Sequence, residues 1–196
     1  MTKGFSKPAS ALIEAAERLI ATQGLGVPLT EIGQAAGAAN KVAVQYHFGD
    51  RQNLIEAVFQ YRLPQLEKRR TALLAQMEAA GLGNDQAALL DALLRPIAEV
   101  RDAEGCCRYA GFLYQLTANA RSARGAFDDL APVARDIVSR LWTSDPSTPQ
   151  ATIRRRLGSA SLVFQDTLVR LDEEGALDEA GVQEALRLAQ AVLRGA

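Results

Sequence analysis

The chain has 196 residues, 48% apolar and 23% charged, with 22 Lys and Arg against 23 Asp and Glu and a single His. That length holds one or two domains whose core needs neither disulfides nor metal. A net charge of −1 excludes a uniformly basic nucleic-acid coat and a solvated acidic tail, while leaving room for a local basic face.

Cys106 and Cys107 are adjacent and make no disulfide framework, which points to a reducing cytoplasm. The polar start MTKGFSKPAS carries no secretory apolar region. No run approaches the roughly 18–20 apolar residues of a membrane span. One His and no clustered metal ligands or nucleophile–base pair predict a protein that is not an enzyme and carries no cofactor.

Apolar residues recur at helical period almost throughout, β-branched residues are sparse, and Gly or Pro clusters fall between the periodic stretches, so the chain is expected to be all-α. The first helix is expected over residues 9–22, with Leu12, Ala15, Ala16, Leu19 and Ile20 on one stripe and Gly24 as its stop. Pro28 opens a short second helix that carries Leu29, Ile32 and Ala36 and ends at Gly37. Asn40 is the expected N-cap of a third helix over 41–47, and Asp50 caps a fourth over 51–63.

A functional boundary is expected near 63–66, dividing residues 1–63 from 64–196. Further helices are expected over 65–80, 86–101, 107–121, from 129 or 132 to 142, 150–172 and 179–194. Pro96 should kink or divide the second of these, and residues 143–149 form a loop.

Three short helices near the start, the second and third joined by a tight Gly turn, fit a helix-turn-helix, in which one helix enters the major groove and its predecessor braces it. An ordinary corner between two helices fits the same pattern. The residues themselves go further. The run Leu12-Ile13-Glu14-Ala15-Ala16-Glu17-Arg18-Leu19-Ile20 followed by Gly24, then Ile32-Gly33-Gln34-Ala35-Ala36-Gly37, then Val44-Gln45-Tyr46-His47-Phe48 with Arg51 and Leu54, resembles the DNA-binding region of tetracycline-repressor (TetR) family regulators. The resemblance spans about residues 10–60; beyond it the chain shares only the all-helical character of that family's divergent C-terminal domain. Ala38 and Ala39 stand between Gly37 and the Asn40 cap where the commonest family pattern has one residue. Val42 stands where many members carry Gly, and Gln45 where many carry an aromatic.

The resemblance implies an N-terminal three-helix helix-turn-helix domain plus a C-terminal helical ligand-binding and dimerisation domain. Val44 and Phe48, four apart, should face the core. Lys41, Val42 and Gln45 are then available to base edges: Gln45 to adenine, Lys41 to guanine, Val42 to a thymine methyl. Asn40, Tyr46 and His47 resemble positions that contact phosphate. Arg51, with the amides opening the fourth helix, and Thr30 are further candidates of that kind. Residues 1–63 hold six Lys or Arg and five Asp or Glu, so the cations are few, with Lys3 and Lys7 forming an N-terminal arm. So small a basic face predicts a homodimer reading two half-sites of double-stranded operator DNA.

In the C-terminal half, Leu157, Phe164 and Leu168 of one helix and Leu186, Val192 and Leu193 of the last carry more apolar surface than one intramolecular seam requires. A four-helix dimer interface is the expectation. Met77, Tyr109, Phe112, Leu113, Leu116, Trp142 and Phe164, with Tyr114 and Phe127, supply the apolar and aromatic walls of a cavity for a small-molecule effector, or of an ordinary core. The whole reads as a ligand-responsive repressor. An all-helical small-molecule-binding protein with a vestigial helix-turn-helix is the second reading of the same residues.

Overall fold

The computed structural model of the chain describes residues 4–38, 42–119 and 131–195. Among them there is no strand, and nine helices follow one another: α1 (Lys7–Gln23), α2 (Leu29–Ala35), α3 (Ala43–Phe48), α4 (Arg51–Ala79), α5 (Gln86–Ala98), α6 (Arg108–Ala118), α7 (Pro132–Thr143), α8 (Gln150–Glu173) and α9 (Glu179–Arg194). No helix among the described residues is long and apolar enough to cross a membrane.

Side-chain oxygens open four of these helices by accepting from otherwise orphan amides. Ser6 caps α1 through the Ala9 amide, Asp50 caps α4 through Asn53, Asp85 caps α5 through Ala88, and Asp178 caps α9 through Gly181. The turn after α2 is a Schellman motif: Ala38 N–H donates to the Gly33 carbonyl at 3.0 Å, around Gly37 at φ +71°. Only a residue without a Cβ takes that conformation freely.

Two expectations change here. The helices expected separately over 51–63 and 65–80 are one element, α4, with Pro64 inside it. Pro64 is exposed, and its missing N–H removes a single ladder bond. Buried residues on either side of it, Ala57 and Val58 before and Leu66 and Arg70 after, hold the helix to its neighbours. Likewise α5 continues through Pro96 to Ala98 as one helix.

Around α4 the other helices assemble in two groups. Its first part packs with α1 and α3, its later part with α5 and α7. α1 also lies along α6, and at their crossing a Cβ built on Gly111 would stand 3.0 Å from the Ala21 methyl. α8 and α9 form an antiparallel pair, with Arg156 Nη1 donating to the Arg194 carbonyl at one end and Leu171 beside Gly181 at the other.

Buried charge fixes these contacts. Arg62 of α4 grips both oxygens of Glu17 on α1, Nε to Oε2 at 2.7 Å and Nη2 to Oε1 at 2.9 Å. Burial pushes the Glu17 carboxyl above its ordinary range, and the Arg62 hydrogen bonds only partly offset it. Glu67 of α4 accepts from the Val133 and Ala134 amides at 2.6 and 3.3 Å. It thereby caps α7, whose own N-cap residue, Ala131, has no side-chain acceptor.

Candidate functional site

The short helix α3 has two unlike faces. Val44 is buried and Phe48 half-buried against the core. On the other side Val42 is 51% exposed and Tyr46 is 83% exposed, and Gln45 and His47 are exposed beside them. Positions 42, 45 and 46 share one helical face, so two of the largest exposed apolar side chains described here stand together. The Tyr46 and His47 rings meet edge-on at 5.1 Å.

The end of α3 is tied to α4. Asn53 donates from its backbone to Asp50 at 2.8 Å and from its side chain to the Phe48 carbonyl at 2.9 Å. Arg51, expected at a phosphate, turns inward instead. Its guanidinium donates to the carbonyls of Leu25 and Val27 at 2.8 and 2.6 Å, fastening the start of α4 to the loop between α1 and α2. The Asp50 carboxylate also occupies one of the amides expected to hold phosphate. Thr30 is exposed on α2. Asn40, Lys41 and Lys3 lie outside the described residues, as does Phe127.

A cavity of about 450 Å³ opens between α4, α5, α6 and α7. Tyr109, Leu113 and Trp142 line it, as expected from the sequence. Met77, Phe112, Leu116 and Phe164 do not; they are buried in the core, and Phe112 packs against Phe59 and Tyr109 at ring distances of 5.4 and 6.0 Å. The sequence reading missed the α4 side of the wall, which carries Phe59, Leu63, Leu66 and Arg70. Its signal was present: the four residues follow one another at three- and four-residue steps, a single helical face, once α4 is read through Pro64.

Arg70 is buried and held by Glu67 at 3.1 Å and by two bonds to the Leu93 carbonyl at 3.3 and 3.2 Å. Burial pushes the Tyr109 phenol far above its ordinary value, so it stays protonated.

The expected dimer residues sit differently. Leu157, Phe164, Leu168, Leu186 and Leu193 are buried within the single chain, because α6 and α9 cover α8 while α8 and α5 cover α9. What α8 and α9 leave open is Leu188, 41% exposed, with half-buried Leu162, Val169 and Val192. Of the expected set only Val192 belongs to this open face.

A second cavity, of about 360 Å³, lies where α1 and α2 meet the segment between α5 and α6. It is lined by charges of both signs, including the Glu17–Arg62 pair and Asp102.

The cysteines differ in setting. Cys107 is buried, which pushes its thiol up to about 11, while Cys106 is half-buried. Compared with known families and with curated proteins, the chain matches no family model and no relative.

Proposed function

We propose that the protein is a sequence-specific DNA-binding transcriptional regulator, a ligand-responsive repressor that binds a palindromic operator as a homodimer. The observation that carries this reading is the outward face of α3. A helix this short gains little by exposing Val42 and Tyr46 to water, and the same face presents Gln45, whose amide pairs with adenine in a major groove. Tyr46 and His47 supply phosphate contacts, and Lys41 a further base contact.

The apolar cavity beside α4 is the effector site. The open strip of Leu188, Leu162, Val169 and Val192 supports a pairing of α8 and α9 across a two-fold axis. An effector that favours one of two arrangements of the dimer changes the separation of the paired α3 helices, which must sit about 34–36 Å apart on DNA. Operator DNA then weakens effector binding by the same factor.

Site selection from random duplex DNA, followed by a mobility-shift assay, tests this. A single enriched inverted repeat, lost with Lys41→Ala and Tyr46→Ala, is the expected result. No enrichment by the folded protein removes the regulator. In that case the cavity favours the second reading, a helical small-molecule-binding protein with a vestigial helix-turn-helix.

A further inference from the structure

We infer that the apolar cavity takes a hydrophobic organic acid, a carboxylate carried on a hydrocarbon or aromatic skeleton. This rests on reading the cavity as the effector site and goes on to the chemistry of its ligand.

The polar side chains on the wall are Arg70, Tyr109, Arg135 and Trp142. Among the described lining residues there is no carboxylate and no side-chain amide. Guanidinium and indole groups only donate hydrogen bonds, and a phenol held protonated by burial donates one as well. Arg70 spends Nε, one Nη1 hydrogen and one Nη2 hydrogen on Leu93 and Glu67, which leaves one N–H on each terminal nitrogen. The Trp142 indole N–H is buried without a hydrogen-bond partner. The described wall is therefore rich in donors and short of acceptors.

Three ligand classes fare differently against such a wall. Among the described lining residues an organic cation finds no counter-charge and stands near a buried guanidinium, so its desolvation goes uncompensated. Glu67 does not rescue it: one oxygen accepts from Arg70 and Ala134, the other from Val133. A plain hydrocarbon buries apolar area but leaves the donors without acceptors. A carboxylate accepts from Arg70 and Tyr109 while its skeleton covers Phe59, Leu66 and Trp142. The volume suits a small ligand, since such pockets run from about 300 to 1,000 Å³.

Trp142 is the chain's single tryptophan, so its fluorescence reports on the cavity directly and without DNA. The full-length protein is titrated with decanoate, decanol and decylamine, and with cyclohexylbutyrate against cyclohexylbutylamine. Expected is a saturable change with an acid, at an affinity about tenfold or more above that of its amine, as one charge-assisted hydrogen bond supplies. Tyr109→Phe keeps the ring and its packing, and weakens the acid by roughly fivefold with unchanged circular dichroism.

An amine that binds as tightly as its acid, or decanol that saturates the signal where decanoate does not, overturns the acid and leaves an effector site standing. Silence from all five compounds with folded protein overturns the cavity as the site. Neither result depends on whether the protein binds DNA.

Discussion

Arg62 holds both carboxylate oxygens of Glu17 across the contact between α1 and α4, with the Glu17 side chain almost wholly out of water. The raised position of the Glu17 carboxyl shows that desolvation outweighs the hydrogen bonds it receives. Despite its burial, the Arg62 guanidinium is held above its ordinary value by the same hydrogen bonds and the Glu17 charge, so the two partners feel desolvation unequally. Glu17→Gln leaves the buried guanidinium without a counter-charge, and a loss of about 3 kcal/mol is expected in urea unfolding. Glu17→Leu combined with Arg62→Met should recover most of that loss, since an apolar pair of similar volume is commonly neutral or stabilising. A double variant as unstable as Glu17→Gln would show that the pair itself supplies the stability.

The crossing of α1 and α6 has its own signature. Gly111→Ala places a methyl 3.0 Å from the Ala21 methyl, and neither can rotate away because each is fixed to helix backbone. About 1–2 kcal/mol of destabilisation is expected from the overpacking. Ala21→Gly in the same chain should relieve part of it, which a double-mutant cycle on thermal unfolding would read as a non-additive, favourable coupling.

Base and backbone contacts on α3 separate by their effect on specificity. Gln45→Ala should relax preference at one position of each half-site by about 1–3 kcal/mol while barely altering binding to unrelated DNA. Tyr46→Ala should weaken all sequences alike, because a phosphate contact carries no base information. Competition assays with operator and random duplex distinguish the two. Uniform weakening by Gln45→Ala would remove its assignment to a base edge.

Alkaline pH exposes the buried thiol. Below pH 9 Cys107 is protonated in both folded and unfolded chains, so it adds no pH dependence. Between about 9 and 11 the unfolded thiol ionises while the folded one does not, and stability falls by about 1.4 kcal/mol per pH unit over that window. Cys107→Ala should flatten this decline relative to the parent chain in parallel urea melts. The native protein should also leave Cys107 unreactive toward iodoacetamide at neutral pH while unfolded chain reacts, as mass mapping of the two thiols would show.

The helices were legible from local signals. Asp178 and Gly195 bracket α9 as cap and stop, and the expected range is the observed one. The two faces of α3 were legible too, since Val44 and Phe48 lie one turn apart. Less could be read where an interaction joins distant segments. Nothing near Arg51 in sequence announces the carbonyls of Leu25 and Val27, 26 and 24 residues away. The α8 stripe was visible as an apolar face, but sequence alone does not say whether α6 and α9 or a partner chain covers it. The cavity wall was half hidden for a different reason. Ending one helix at 63 and starting the next at 65 severed Phe59 and Leu63 from Leu66 and Arg70, although the four share one face of an unbroken helix.

That unbroken helix also sets a mechanical ratio. Counting about 1.5 Å of rise per residue from Ala79, Leu66 lies roughly 20 Å along α4 and Arg51 roughly 42 Å. A rod pivoting at its Ala79 end therefore carries Arg51 about twice as far as Leu66. Arg51 is fastened to the loop between α1 and α2, so one continuous rod joins the cavity wall at Leu66 to that loop.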